Sequence, residues 1–257
     1  MTLNLALFGV TGRMGRSVLK ALANSREFTL SGATASAASA AAAGATVSAD
    51  PALALHGARV AIDFSHANAV AGNLAACVSR GVPVVVAVTG LDDAARDELV
   101  RAAIKIPIVQ AANTSLGLTV MRKMAALAAG ALPAAYDIEI SEAHHRMKRD
   151  APSGTALALG ESVAAARGTT LARSAEFSRH GDAALRTAGS IGFSVVRAGD
   201  IIGVHTVLFA GDDESLEITH RVSDRMCFAR GALAAAHWLI GRPAGLYAMD
   251  DVLQKLA

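Results

Sequence analysis

Short apolar segments alternate with helix-like segments through the first half of the chain, and this alternation most constrains the fold. The apolar segments predict buried strands at residues 3–8, 28–33, 59–64, 82–88 and 106–111. Helical spacing predicts helices between them at 13–23, 66–80 and 92–103. Nearly continuous apolar strands separated by helices are typical of a parallel sheet covered on both faces. We therefore predict an α/β fold with a doubly wound, Rossmann-like sheet.

The pattern changes after Asn113, which indicates a second domain. A helix is predicted at 116–129, and residues 135–143 alternate apolar and polar side chains, as in a strand with one polar face. Further helices are predicted at 153–167 and 226–240, and further strands, which we expect to be antiparallel, at 191–197, 203–210 and 214–221. Because we expect the last helix to pack back on the first domain, that domain is predicted to comprise 1–114 and 226–257. A smaller α+β domain is predicted at 115–225.

Charge and cysteine content exclude several classes of protein. The net charge of +2, from 24 basic and 22 acidic residues, gives no support to a general nucleic-acid role. Cys77 and Cys227 lie far apart, so they predict neither a zinc site nor a disulfide framework and fit a reducing compartment. The apolar run at 3–10 lacks a preceding basic region, so we interpret it as a strand and not a signal peptide. No apolar run approaches the roughly 20 residues of a membrane span, and we expect a soluble, cytoplasmic protein.

The segment from 33 to 49 consists almost entirely of Ala, Ser, Gly and Thr. We predict a short helix within a surface loop for this segment. The alternative is compositional drift toward alanine, without structural meaning.

A glycine-rich loop follows the first predicted strand and leads into a helix. Its spacing is G-x-x-G-x-x-G, with glycines at 9, 12 and 15. Glycines here allow a tight turn and a close approach to a pyrophosphate, whose charge then meets the amides of the helix N-terminus. The sequence thus predicts a dinucleotide site, with a merely structural turn as the alternative.

The second predicted strand bears on the choice of cofactor. A site for NAD usually has Asp or Glu about 20 residues beyond the glycines, but no charged residue occurs between Glu27 and Asp50. Nothing in this region repels a 2′-phosphate, and Ser36 or Arg13 could bind one. We expect NADPH or NADH to be used, with NADPH slightly favoured.

The segment with the most potential chemistry lies between the strand at 135–143 and the helix at 153–167. Basic-type side chains are concentrated there: His144, His145, Arg146, Lys148 and Arg149. Ser153, Gly154 and Thr155 then present backbone amides and two hydroxyls at a helix start. Amides and a basic side chain suit the carboxylates of an anionic substrate, and a histidine is able to act as general acid near neutral pH.

Two other interpretations apply to this segment. One is a solvated basic loop with Ser153 as an N-cap. The other, metal binding by His144 and His145, is disfavoured because neighbouring side chains diverge, so no metal is expected.

The run EISEAHHRMKRDAPSGTA at 139–156 resembles the signature of the 4-hydroxy-tetrahydrodipicolinate (dihydrodipicolinate) reductase family, which acts in diaminopimelate and lysine biosynthesis. The resemblance extends to the glycine loop, to the DFS motif at 63–65, to 88–90, to 111–117 and to much of the chain after 191. It implies a reductase for a small cyclic dicarboxylate, with a nicotinamide cofactor in the first domain. It also implies that the second domain binds substrate and forms a homotetramer.

The resemblance implies a role for each matching residue. His144 would donate the proton, and Lys148 would hold and polarise the substrate. His145, Ser153, Gly154 and Thr155 would bind substrate. The residues implied to line the cofactor are Gly9, Val10, Thr11, Gly12, Arg13, Met14, Ala87, Val88, Thr89, Ala111, Ala112, Asn113 and Thr114, with Ser36 added from the residue pattern.

Two positions depart from the family pattern. Ser36 and Ala37 stand where many members carry an acidic residue and an arginine, so cofactor preference does not carry over. Thr114 replaces an aromatic residue, which affects packing near the nicotinamide. A catalytically silent dinucleotide sensor on the same fold is the rival interpretation, although a sensor would have no need of His144 and Lys148.

Overall fold

The computed structural model describes residues 2–35, 46–182 and 184–253. These residues form two compact units. The first contains the chain up to Leu116 and again from Arg225 onward, and the second contains Gly117–Asp224.

The first unit is built on a seven-stranded sheet in which every strand pair is parallel. Its strands are β1 (Leu3–Phe8), β2 (Phe28–Thr34), β3 (Thr46–Ser48), β4 (Val60–Asp63), β5 (Val84–Val86), β6 (Pro107–Gln110) and β12 (Gly245–Tyr247). Their order across the sheet is β12-β6-β5-β4-β1-β2-β3. This confirms the predicted Rossmann-like fold, and the five predicted strands are present with slightly different bounds.

Helices cover both faces of this sheet, as the apolar strands predicted. They are α1 (Arg13–Ala23), α2 (Pro51–Ala54), α3 (Val70–Arg80), α4 (Asp93–Ala103), α8 (Met226–Leu239) and α9 (Met249–Leu253). One face packs against α1, α8 and α9, and the other packs against α2, α3 and α4. The helix predicted from residue 66 begins at Val70, after a 3₁₀ turn at Ala67–Ala69.

Two strands of this sheet were not predicted. Residues 46–48 of the alanine-rich segment form β3 and pair with β2, so the prediction of a helix is wrong there. The strand consists of Thr46, Val47 and Ser48. The partly buried Val47 packs against the core, and the β-branched Thr46 and Val47 favour a strand over a helix. The remainder of that helix prediction, at 36–45, lies outside the described residues. Strand β12 pairs with β6, although more than a hundred residues separate the two in sequence.

The second unit has a five-stranded mixed sheet in the order β11-β10-β7-β9-β8. Its elements are α5 (Leu116–Ala131, which begins in the first unit), β7 (Asp137–His144), α6 (Gly154–Ala166), α7 (Leu171–Ser174), β8 (Ala175–Glu176), β9 (Ile191–Arg197), β10 (Gly203–Ala210) and β11 (Ser215–Val222). Buried side chains of α5 and α6 pack on one face of the sheet. The expectation of an antiparallel sheet is wrong for β9, which is parallel to β7. It is also parallel to β8, a two-residue strand that was not predicted. The crossover through α6 returns the chain to the sheet in the same direction as β7.

Among the described residues, no helix combines the length and apolar character needed to cross a membrane.

Candidate active site

The glycine loop follows β1 at the carboxyl edge of the parallel sheet. Gly9 has φ +79, and a Cβ atom there would lie 2.6 Å from the carbonyl oxygen of Phe64. A Cβ atom at Gly15 would lie 2.3 Å from the carbonyl oxygen of Gly9. Both positions therefore require glycine for the loop to pack between β4 and α1.

Helix α1 begins without a side-chain cap from the part of the chain that the structure describes. Gly12 is its N-cap residue, and its first turn contains no acidic residue. Thr11, Gly12 and Arg13 are exposed or nearly so. An uncapped helix start with an accessible glycine fits the pyrophosphate of a dinucleotide, because the terminal amides and the helix dipole both favour an anion.

The other predicted cofactor segments lie along the same edge. The predicted segments at 87–89 and 111–114 directly follow strands β5 and β6. Both strands lie on the same side of β1 in the sheet. Because parallel strands end at a common edge, these loops converge beside the glycine loop. Ser36 lies outside the described residues.

Three of the residues predicted to line the cofactor are buried or hydrogen-bonded to other residues of the protein. Val10 is buried in the core, and its amide donates to the Thr34 carbonyl. Thr114 is 1% exposed, and its hydroxyl donates to the Phe228 carbonyl at 2.7 Å. The Asn113 carboxamide oxygen accepts a hydrogen bond from the Ser115 amide. Thr114 thus fixes the segment after β6 against α8, a role that the family resemblance did not imply.

Asp63 lies at the end of β4, in the DFS motif at 63–65 that is part of the family resemblance. Its buried carboxylate accepts hydrogen bonds from the Ser65 amide at 2.8 Å and the Asn73 side chain at 2.9 Å. Burial raises the pKa of Asp63, and these hydrogen bonds oppose the increase. The carboxylate shapes the turn against which Gly9 packs.

In the second unit, β7 ends at His144. This histidine is 9% exposed, and its Nδ1 atom lies 2.6 Å from Oε2 of Glu142. A Cβ atom at Gly203 would lie 3.2 Å from Nε2 of His144, so the glycine keeps space open beside that nitrogen. Burial lowers the pKa of His144, with Lys148 and Arg197 acting in the same direction and Glu142 opposing them.

Glu142 is almost completely buried and is fully hydrogen-bonded. Arg197 donates to both of its carboxylate oxygens at 2.7 Å, and the Ser153 amide donates to Oε1 at 2.9 Å. Burial alone would raise the pKa of Glu142, but these hydrogen bonds and that of His144 hold it below the usual value. The group is therefore an ionised carboxylate.

A second buried histidine, His205, adjoins His144. The two rings meet edge to face with centroids 5.0 Å apart, and Nε2 of His205 lies 3.0 Å from the Ser153 hydroxyl oxygen. Burial, together with repulsion from His144, lowers the pKa of His205 to about 4, so its ring is neutral at physiological pH. Ser153 also caps α6, since its hydroxyl accepts a hydrogen bond from the Ala156 amide.

The remaining predicted substrate residues lie between His144 and His205 in the sequence. Lys148 donates hydrogen bonds to both carboxylate oxygens of Asp150. His145 is partly exposed in the turn that follows β7, and Thr155 lies in the first turn of α6. The unit thus places a histidine, a lysine and a helix start around one loop.

Sequence reasoning missed Glu142, Arg197 and His205 as functional residues. The alternation along β7 contained a signal for Glu142, because it puts Glu142 and His144 on the same face as the buried Ile140. The same signal exists for His205, which shares the buried face of β10 with Val207. A polar group on an apolar strand face needs partners, and such groups cluster at functional sites.

Across the described ranges, no group of three or more His, Cys, Asp or Glu side chains is arranged to hold a metal ion. The second unit supplies groups for proton transfer and anion binding, and the first unit supplies a loop and helix start suited to a dinucleotide. Together these features define a nicotinamide-dinucleotide-dependent oxidoreductase with two domains.

Comparison with known protein families identifies the family of oxidoreductases to which the chain belongs. Residues 3–114 match the family model described as dihydrodipicolinate reductase, N-terminus, and residues 117–253 match the model for its C-terminus. The chain belongs to the dihydrodipicolinate reductase family, as the motif resemblance predicted.

Individual relatives agree with this assignment. The chain is 47% identical to 4-hydroxy-tetrahydrodipicolinate reductase of Thiobacillus denitrificans, covering 98% of this chain and 99% of the relative. It is 43% identical to the enzyme of the same name from Nitrosomonas europaea, covering 98% of both. Among solved structures, a dipicolinate-bound dihydrodipicolinate reductase from Paenisporosarcina sp. TG-14 superposes with a TM-score of 0.81 at 22% identity, over 98% of this chain and 99% of the other. That similarity shows the fold.

Proposed function

We propose that this chain reduces 4-hydroxy-tetrahydrodipicolinate to tetrahydrodipicolinate, in the diaminopimelate route to lysine. The observation that carries the proposal is the buried Glu142–His144 pair beside Lys148 and the start of α6, in a chain that relatives with this activity match from end to end. In the overall reaction the substrate gains a hydride and a proton, and its 4-hydroxyl leaves as water.

The first unit would hold the dinucleotide. When bound, a nicotinamide dinucleotide supplies the hydride. The uncapped start of α1 would receive the pyrophosphate, and the loops after β4, β5 and β6 would line the rest of the site. Either NADPH or NADH would serve, with NADPH slightly favoured, because the residues between Phe28 and Ala49 carry no charge.

The second unit would bind a dianionic ring. Lys148 and His145 offer positive charge or hydrogen-bond donors for one carboxylate. The start of α6, with Ser153, Gly154 and Thr155, offers amides and hydroxyls for the other. The neutral His205 would hold the Ser153 hydroxyl in place without adding a charge.

His144 would supply the proton. In its protonated form it carries a proton on Nε2, the nitrogen that faces the open space beside Gly203. After the proton passes to the substrate, the ring returns to its neutral form with Nδ1 still hydrogen-bonded to Glu142. Solvent would restore the lost proton.

We also propose that the enzyme is a cytoplasmic homotetramer. The family resemblance implies four subunits, and the mixed sheet ends at β11, an edge strand that a neighbouring subunit would cover.

The test is loss of NADPH absorbance with substrate generated from pyruvate and aspartate semialdehyde by the enzyme that normally makes it. Consumption of NADPH that depends on both precursors supports the proposal. Absence of consumption, with dinucleotide binding intact, would favour the rival sensor.

A further inference from the structure

The carboxylate of Glu142 receives four hydrogen bonds from three different elements of the second unit. Oε2 accepts from Nδ1 of His144 and Nη1 of Arg197, and Oε1 accepts from the Ser153 amide and Nη2 of Arg197. Glu142 is 2% exposed, so its carboxylate lies out of contact with bulk water. One side chain thereby connects the end of β7, the end of β9 and the start of α6.

These contacts determine which nitrogen of His144 carries a proton. The carboxylate is ionised and fully occupied by N–H donors, so it can only accept. Nδ1 of His144 must therefore be the donor in the bond to Glu142. In the neutral ring Nε2 is then unprotonated, and a second proton can add only at Nε2.

Arg197 limits the effect of the carboxylate on His144. An isolated carboxylate beside a histidine strongly favours the imidazolium form. Here the two parallel hydrogen bonds from Arg197 offset the charge of Glu142, and the side chain of Arg197 also donates to the Asp150 carbonyl. Glu142 can thus orient the ring without holding it permanently protonated.

We propose that Glu142 is the positioning residue of this site, fixing His144 as the Nδ1–H tautomer so that Nε2 alone exchanges a proton with substrate, while Arg197 balances its charge. The proposal rests on the proposed function for the identity of the proton acceptor. The tautomer of His144 is inferred without reference to the proposed function.

Several charged or titratable groups face His144, and any pH dependence must account for each. Glu142 lies on the same strand, Arg197 on β9, His205 on β10 and Lys148 in the following loop. Asp150 is paired with Lys148. Among these groups, Glu142 is the one that is hydrogen-bonded to the ring of His144.

The first test uses the wild-type protein without substrate or cofactor. Its histidines are labelled with ¹⁵N, and the His144 signals are assigned by their loss in His144→Gln. Above the pKa of His144, we expect protonated Nδ1 and unprotonated Nε2, the reverse of the tautomer that free histidine prefers. An Nε2–H tautomer would overturn the proposal, whether or not the chain proves to be a reductase.

The second test compares Glu142→Gln with Glu139→Gln. Both glutamates lie on β7 and both are bonded by arginine, but Glu139 contacts Arg179 and Arg186 and not His144. The carboxamide introduced by Glu142→Gln can donate an N–H to Nδ1, so we expect the tautomer to switch in this variant only. Loss of the carboxylate, with Arg197 unbalanced, should also lower the pKa of His144.

The predicted change in the pH profile has a definite sign. Because kcat requires protonated His144, it falls as pH rises through the pKa of that residue. In Glu142→Gln this fall should move to lower pH, and kcat at neutral pH should drop by up to the roughly 10²–10⁴-fold that a general acid contributes. Glu142→Asp, which keeps the charge, should shift the pH at which kcat falls by a smaller amount. Glu139→Gln should leave that pH unchanged.

Equal shifts in the two glutamine variants, or no shift in either, would contradict a positioning role. If Glu142→Gln does not fold, the wild-type tautomer still decides. If the tautomer is as predicted but no variant or wild-type protein reduces the substrate, the proposed function fails and the assignment of Glu142 to His144 stands.

Discussion

The Lys148 ammonium lies 2.8 Å from each carboxylate oxygen of Asp150. Asp150 therefore binds the ammonium group that is proposed to hold a carboxylate of the substrate. A dianionic ligand bound by Lys148 must share this ammonium with Asp150 or displace the Asp150 carboxylate. We therefore expect the charge of Asp150 to affect substrate binding, even though its side chain is more than half exposed.

This arrangement predicts how Lys148 and Asp150 are coupled. Lys148→Ala should lower kcat and raise substrate KM by about tenfold or more, because it removes a charge-assisted bond and leaves Asp150 unbalanced near an anion. Adding Asp150→Asn removes that repulsion, so the double variant should regain part of the lost affinity. Steady-state kinetics on the wild-type, single-variant and double-variant proteins measure the coupling. A double variant with a KM equal to or above that of Lys148→Ala would contradict it, and dinucleotide affinity should stay nearly constant throughout.

The second prediction concerns the cofactor. Residues 28–49 contain no charged side chain, so this region holds no carboxylate to repel the 2′-phosphate. We expect both dinucleotides to be used, with kcat/KM for NADPH equal to or modestly above that for NADH. A preference for NADH of about tenfold or more would show that specificity is determined elsewhere.

The third prediction uses a pair of helix glycines. A Cβ atom at Gly15 would lie 2.3 Å from the Gly9 carbonyl, whereas at Gly72, an exposed position in α3, it would meet nothing within 4 Å. Gly15→Ala should weaken dinucleotide binding and reduce the free energy of unfolding by about 1–3 kcal/mol. Gly72→Ala should be neutral or stabilise by up to roughly 1 kcal/mol. Urea denaturation and a dinucleotide titration compare them, and similar effects at both positions would refute close packing of the loop.

The fourth prediction is the state of assembly. As a homotetramer the protein should have a mass near four times the 26.1 kDa of one chain. Light scattering at micromolar concentration measures it, and a monomer mass would exclude the proposed assembly.

The parts of the fold that were predictable are those specified locally. Strands β1, β4 and β5 are short apolar runs, and the glycine loop sits between a strand and a helix. By contrast, β3 and β12 have three residues each, and they form strands because they hydrogen-bond to the neighbouring strands β2 and β6. No window of sequence contains that information.

The residues of the candidate site also divide into those that were predictable from the sequence and those that were not. His144 and Lys148 occur in one continuous motif, so they were recognised from the sequence. Arg197 and His205 reach the same place only through the pairing of β7 with β9 and β10, which sets His144 opposite Arg197 and Glu142 opposite His205. Strand register depends on tertiary contacts, which is why these partners were missed.

The most direct measurement of the central claim is the turnover of His144→Ala beside that of the wild-type protein. If His144 donates the proton in the transition state, the variant should fold, bind NADPH and lose roughly 10²–10⁴-fold in kcat, the usual contribution of a general acid. His145→Ala, a neighbouring histidine in the same loop, should show a milder effect, mostly on substrate binding. A folded, NADPH-binding His144→Ala protein that keeps more than about a tenth of the wild-type kcat would contradict the assignment.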